Sequence, residues 1–368
     1  MLLERLAELR SVGRCYFNSS SECKSPASLR KGILGISKLR VSWGVYNLKN
    51  VTGKMPLSTK NTGKISNPAN RAKPAFAIVG CGKVGTSLAR HLSHAGYPAA
   101  ATVSRSKVSA ERAARLSGAL RHGTEPAQYT VEAGMVLITT PDGAIEETCR
   151  QIADQGGFAS GAVVLHCSGA LPSTILAPAR EAGAYVGSLH PLQSFASISA
   201  ERNPFRKIIF AVEGDAQALV TAEAAARDLG GRSLRVKTEA KGLYHAAAVA
   251  ASNYLVSLVD MAFGLLSSAG ISEEQAPEIL TPLIEGTLAN IRRLGPPQAL
   301  TGPIARNDHQ TVLRHLGEMR RFRPQLEGLY AALGRHTVDV ARRGGHLTPD
   351  EADEFLRLFI AADPTLAK

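Results

Sequence analysis

Phe76-Ala77-Ile78-Val79-Gly80-Cys81-Gly82-Lys83-Val84-Gly85 is the stretch that decides the fold. It opens with an apolar run of strand length. G-x-G-x-x-G follows at once, and Ser87-Leu88-Ala89-Arg90-His91-Leu92 continues with helical spacing. The first Gly lets the chain reverse, the second lets backbone approach a pyrophosphate, and the third lets helix pack on strand. The helix N-terminus adds unpaired N–H groups and a positive dipole end. We therefore read Gly80, Cys81, Gly82, Lys83, Val84 and Gly85 as a dinucleotide-binding turn.

Downstream of this turn, strands and helices alternate. Apolar strands are expected at 75–79, 99–103, 135–139, 162–166, 185–189, 207–212 and 233–236, and helices at 83–95, 109–116, 143–153 and 216–229. Ser109 is the expected cap of the second helix. This order implies a doubly wound, mainly parallel α/β sheet. After Lys237 the strands stop. Residues 240–269, 273–294, 309–320, 325–343 and 350–361 read as helices, capped at Ser272, Asp308 and Thr348. The division expected is 1–73, 74–238 and 239–364, the last all-α.

The 368 residues carry a formal charge of +12, which is unevenly spread. Residues 1–73 hold 14 Lys/Arg and 3 acids, so the rest is close to +1. The basic balance therefore says little about the ligand of the folded part, for which no nucleic-acid partner is expected. Three readings of 1–73 stand open: a start placed upstream of Met55, an organelle-targeting leader, or a basic arm. No segment approaches about 18 uninterrupted apolar residues, so no membrane association is expected. Five scattered cysteines without a C-x-x-C pair suit a reducing compartment, and the chain is read as cytoplasmic. No metal site is expected, because no two histidines of interest lie at ligand spacing.

The end of the second strand specifies the nucleotide. In versions of this fold that prefer NAD, an acid there holds the ribose 2′-OH. Here the position reads Val103-Ser104-Arg105-Ser106-Lys107, with no acid before Glu111. An Arg can grip a 2′-phosphate that a carboxylate would repel. NADP(H) is therefore expected over NAD(H), with Ser104 and Arg105 in the pocket, and Ser106 and Lys107 as further candidates. The alternative is a solvated loop with incidental basic residues. Other loops leave the same sheet edge. Thr140-Pro141-Asp142 is assigned to the cofactor and Ser168 to substrate; His166 and His190 each end an apolar strand. For Asp142 the competing reading is a helix cap, and for the histidines a hydrogen-bonded strand end.

Three segments carry a resemblance: Gly187-Ser-Leu-His-Pro-Leu-Gln-Ser-Phe195, Lys241-Gly-Leu-Tyr-His-Ala-Ala-Ala-Val-Ala-Ala-Ser-Asn253 and Leu300-Thr-Gly-Pro-Ile-Ala-Arg-Asn-Asp308. Over residues 74–345 the chain resembles the β-hydroxyacid dehydrogenase, ketopantoate reductase and pyrroline-carboxylate reductase superfamily. Within it, the match is to Rossmann-like proteins with a C-terminal domain of unknown function. The resemblance implies a Rossmann domain followed by a helical domain, and a Lys at the start of the first C-terminal helix as general acid. Lys241 sits at that place. His245 stands at i+4, where the better-known relatives have Asn, and i and i+4 share a helix face. Asn253 is a candidate substrate ligand or helix–helix hydrogen bond. Arg306 is free to hold a carboxylate, or is a surface residue of a structural turn.

The function implied is hydride transfer between NADP(H) and a small carbonyl or imine carboxylate. Lys241 would be the donor, His245 and His190 would share or position the proton, and Arg306 would hold the acid group. Two alternatives stand beside it: a prephenate-dehydrogenase-like enzyme, suggested by Gly187–Pro191, and a sensor or partner protein that binds NADP without turnover. The Ala/Leu faces of 246–266 are too extensive for one layer, so a homodimer is expected.

Overall fold

The computed structural model describes residues 72–198 and 202–362. Of the basic segment expected over 1–73, residues 1–71 lie outside the described residues. Lys73 belongs to the fold: its Nζ donates to the Ala95 carbonyl at 2.6 Å and pairs with Asp228 at 2.7 Å.

Eight strands make one sheet. They are β1 (Phe76–Val79), β2 (Ala99–Val103), β3 (Arg121–Gly123), β4 (Met135–Ile138), β5 (Val163–His166), β6 (Tyr185–Pro191), β7 (Ile209–Gly214) and β8 (Arg232–Arg235). Their order is β3-β2-β1-β4-β5-β6-β7-β8. Only the β6–β7 pair is antiparallel. Intervening helices are α1 (Lys83–His94), α2 (Lys107–Ser117), α3 (Pro126–Thr130), α4 (Asp142–Asp154), α5 (Ala177–Glu181) and α6 (Ala216–Asp228). The doubly wound, mainly parallel α/β reading therefore holds.

Alternation explains why the strands read as unbroken apolar runs. Phe76 and Ile78 join Leu88, Leu137 and Leu165 in one core, while Ala77 and Val79 join Val136, Ile138 and Val164 in another. Successive side chains point to opposite faces, and both faces of a parallel sheet are covered.

Four details differ from expectation. Strand β3 and helix α3 were not read from the sequence, because Arg-His-Gly carries no apolar pattern. Ser106, not Ser109, caps α2: its hydroxyl accepts the Ser109 N–H at 3.3 Å. Lys207 stands outside β7 in the left-handed region (φ 66), and the strand runs on through Glu213. Ser272 does not cap its helix, since its carbonyl takes the Gln275 and Ala276 N–H groups in a preceding turn.

The C-terminal part is helical: α7 (Lys241–Ser268), α8 (Ala276–Leu294), α9 (Pro296–Ala299), α10 (His309–Phe322), α11 (Pro324–Gly344) and α12 (Pro349–Ala361). Asp308 caps α10 through the Thr311 N–H at 3.0 Å, and Thr348 and Glu351 form a capping box on α12. Val312, Leu316, Val338, Phe355 and Phe359 build a separate core from α10–α12. Helix α7 contributes little to it. The most apolar 18-residue window within Thr238–Ser268 has a mean hydropathy of 1.5, and 6% of it is buried. By length and composition alone the segment could cross a membrane, although polar residues interrupt its apolar run.

Candidate active site

The glycine turn opens a cleft of 1180 Å³ at the carboxyl ends of β1, β2 and β4. Of the residues assigned to the cofactor, Gly80, Cys81, Gly82, Lys83, Val84, Ser104, Arg105, Thr140 and Pro141 line it, and Gly85 and Asp142 do not. Helix α1 begins without a side-chain cap and without an acid in its first turn, which leaves its N–H groups for an anion. A Cβ on Gly82 would meet nothing within 4 Å, so a ligand can approach the backbone there. A Cβ on Gly85 would collide with the Gly80 carbonyl and the Thr139 hydroxyl, so this glycine serves the packing of helix on strand. The Thr140 hydroxyl is buried and unpartnered on the same wall. These features fit a bound dinucleotide.

Two expectations shift. The Cys81 thiol turns into the core, donates to the Val103 carbonyl at 3.4 Å and is pushed up to about 12 by burial. Only its backbone can serve the cofactor. Ser106 and Lys107 do not line the cleft, but Ser109 and Arg112, one turn into α2, do. Arg112 thus brings a second guanidinium to the wall that holds Arg105.

Asp142 does not cap α4. It accepts the Ser168 hydroxyl at 2.7 Å, and that oxygen in turn accepts the Ala170 and Leu171 N–H groups at 3.2 and 3.0 Å. Ser168 is buried, and its hydroxyl ties the end of β5 to the start of α4 rather than standing free for a substrate. The Ser168 N–H donates to His166 Nδ1 at 3.1 Å. Burial, and then the nearby Lys241 charge, pushes the fully buried His166 down to about 3, so it is a neutral strand-end histidine.

Lys241 starts α7 but does not reach open space. Its side chain is 3% exposed. Nζ donates to the Ser168 carbonyl at 3.0 Å and the Ser188 hydroxyl at 2.8 Å, and faces Glu213 Oε1 at 3.6 Å. Two of the three N–H bonds are thus used in hydrogen bonds, and Glu213 adds an ion pair beyond hydrogen-bond distance. Glu213 is equally enclosed: it accepts the Ser173 N–H and hydroxyl at 2.7 and 2.8 Å and the Thr238 hydroxyl at 3.1 Å. Burial is the larger influence and lowers the Lys241 pKa, with Glu213 acting in the opposite sense. Removing one partner of such a pair costs roughly 3–5 kcal/mol. Losing the Lys241 proton would likewise leave the Glu213 carboxylate buried without its counter-charge. Sequence reasoning missed Glu213, although an acid at the end of the apolar run Ile209-Phe-Ala-Val-Glu213 is itself a sign of a buried partner.

His190, His245 and Tyr244 form the remaining polar group. His190 Nδ1 lies 3.1 Å from the Tyr244 hydroxyl, and the His190 and His245 rings meet edge to face at 5.8 Å. Both rings close over Gly169, where a Cβ would sit 2.5 Å from His245 Nδ1 and 2.8 Å from His190 Nε2. His245 Nδ1 is buried and unpartnered. Burial, then His245 and Lys241, pushes His190 down to about 4. The charge of Asp142, next to the cleft residue Pro141, acts on His190 in the opposite sense. Tyr244 escaped the sequence reading because an aromatic one turn into an apolar helix reads as core.

Asn253 and Arg306 are not brought here. Asn253 is exposed on α7, about 18 Å along the axis from Lys241 at 1.5 Å per residue. Arg306 is exposed on a 3₁₀ turn, Ile304–Arg306. It lies near Asp308, whose carboxyl is held below its usual range by the Thr311 hydroxyl and N–H and, to a smaller degree, by Arg306. Among the described residues, no group of three or more His, Cys, Asp or Glu could hold a metal ion.

This strand order, with a glycine cradle at its carboxyl edge, defines a Rossmann-type nucleotide-binding protein. Residues 61–191 match the Rossmann-like domain family, and residues 208–337 match a domain of unknown function, DUF2520. The two matches follow one another along the chain, a Rossmann-like domain and then a DUF2520 domain. No functionally curated protein matches it. Among solved structures, a candidate NADP oxidoreductase from Bacteroides fragilis is 25% identical over 74% of this chain and 98% of its own, with a TM-score of 0.60. A Thermotoga maritima protein is 27% identical over 73% of this chain and 100% of its own, with a TM-score of 0.59. An imine reductase variant from Myxococcus stipitatus, in complex with NAD+, is 16% identical over 77% of this chain and 99% of its own (TM-score 0.51). That last likeness speaks to the fold alone.

Proposed function

We propose that this protein is an NADP(H)-dependent oxidoreductase acting on a small carbonyl or imine compound. The observation that carries the reading is the cleft itself. An uncapped helix N-terminus faces the place of a pyrophosphate, and Arg105 and Arg112 line the same cleft, Arg105 at the end of β2 where the ribose is held. The Bacteroides fragilis neighbour supports the same cofactor class. A bound reduced nicotinamide supplies hydride. The chain's own residues align it and exclude water from the strand ends, and a bifurcate Arg contact distinguishes a 2′-phosphate from a hydroxyl. A carboxylate on the substrate remains part of the proposal, with Arg306 as its holder only if that residue comes closer than it stands here.

The test is turnover. Purified protein with NADPH is offered short 2-oxoacids, their methyl esters, cyclic imine carboxylates, prephenate and arogenate, and loss of reduced cofactor is followed. Consumption with one carbonyl or imine class is expected, and faster consumption of acids than of esters if the substrate is a carboxylate. Oxidation confined to prephenate or arogenate, with reduction of none, would favour the prephenate-type alternative. Tight NADPH binding with no transfer to any would make the protein a sensor.

We also propose a homodimer, built on α7 and α8. Leu243 (79% exposed), Val256 (69%) and Leu283 (66%) stand in water along these helices. The Lys241 end of α7 is fixed among buried polar groups of the sheet, which a membrane span would have to abandon. Sedimentation without detergent should give twice the chain mass; a chain that requires detergent would favour the membrane reading.

A further inference from the structure

The donor expected from the superfamily resemblance, Lys241, is enclosed: Nζ is held by two hydrogen bonds and faces the buried Glu213 carboxylate. We propose instead that Tyr244 donates the proton and His190 replenishes it, while Lys241 is a positioning cation that joins α7 to the sheet. The inference rests on the oxidoreductase reading above and adds the identity of its proton donor.

Two sets of polar groups diverge from the first turns of α7. Lys241 points to Ser168, Ser188 and Glu213, which are all buried. Tyr244 and His245, three and four residues on, point to His190 and Gly169 at the end of β6 and the loop after β5. Only the second set includes partly exposed side chains with hydrogen-bonding capacity to spare. Lys241 cannot lose its proton without stranding Glu213, whose other contacts with Ser173 and Thr238 all require an acceptor. A phenol bonded to an imidazole carries no such penalty.

The step balances as follows. Hydride from a reduced nicotinamide adds to the carbonyl or imine carbon, and the π pair moves to oxygen or nitrogen. The Tyr244 O–H bond breaks and its proton forms the new O–H or N–H bond. Tyr244 recovers a proton from His190 Nδ1, while Nε2 takes one from water and the resulting hydroxide passes to bulk solvent, where buffer neutralises it. The imidazole changes tautomer and never becomes a cation, which agrees with its lowered pKa. Gly169 is what allows Nε2 this access, because any larger residue would occupy the space between the two rings.

Two measurements decide the proposal. The first needs neither substrate nor cofactor. In ¹⁵N-histidine spectra of the free protein, Tyr244→Phe should move the His190 ring resonances and leave those of His309 in place; unmoved His190 resonances would overturn the couple. The second uses NADPH with whichever 2-oxoacid or cyclic imine carboxylate the wild type reduces. Tyr244→Phe should lower kcat at least about 100-fold, the usual scale of a lost general acid, with NADPH affinity unchanged. The double variant Lys241→Met with Glu213→Gln removes both buried charges together and should keep kcat within about tenfold. Turnover that survives in Tyr244→Phe and vanishes in a folded double variant would return the donor role to Lys241. A wild type that binds NADPH and reduces nothing would defeat the oxidoreductase reading, and the spectra would still judge the Tyr244–His190 couple.

Discussion

The sheet and helix α7 are both strongly apolar, yet the first is buried on both faces and the second stands in water. In β1, β4 and β5 every residue is buried. In α7 only Lys241 and Met261 are. The sheet has satisfied its own hydrophobic demand and is free to carry polar loops at its edge. Among the described residues, helix α7 buries only Lys241 at its start and Met261 toward its end. Helix α7 is thus anchored by a charge at one end, and most of its length is uncovered among the described residues.

Breaking the anchor should have the largest effect. Glu213→Ala leaves Lys241 buried and unpaired and should cost about 3–5 kcal/mol in denaturant unfolding. Glu213→Gln combined with Lys241→Met should recover most of that loss. Overpacking the sheet edge comes next: Gly85→Ala forces β1 and α1 apart and should cost about 1–3 kcal/mol, with nucleotide binding lost in parallel. Arg105→Ala and Arg112→Ala should leave unfolding unchanged and weaken NADPH about tenfold each, with little change for NADH, as for loss of a charge-assisted contact. At the helical end, Thr348→Ala should cost only about 1 kcal/mol, through loss of the capping box.

Acid should act on the sheet side first. His91, His166 and His190 are all pushed down, to about 4, 3 and 4, mainly by burial. The unfolded chain binds their protons near pH 6.5 and the folded chain only well below it. Stability is therefore full above pH 6.5 and is lost as pH falls toward 4 and 3. His91→Phe, placed against Phe205, should flatten the upper part of that loss in thermal melts taken across the range.

Much of this architecture was legible because the physical reasons were local. Phe76–Gly85 announces a strand, a turn and a helix by composition alone. The capping box at Thr348 and the cap at Asp308 are equally short-range. Strand β3 was not legible, since Arg121-His122-Gly123 is held by pairing with Ala101, Thr102 and Val103 rather than by its own pattern. The site was legible by location and not by role. His166 and His190 could be read as strand-end residues, but the closure of Lys241 depends on Glu213, which lies 28 residues upstream and on another strand. Asn253 lies about 18 Å along α7 from Lys241, a separation set by the helical rise and not by sequence pattern.

Titration calorimetry of the purified protein with NADPH and NADH tests the central claim most directly. Saturable binding of NADPH, tighter than that of NADH and weakened by Arg105→Ala, is the predicted result. Absence of heat with both dinucleotides at concentrations well above the cellular range would contradict the reading of the cleft and of everything built on it.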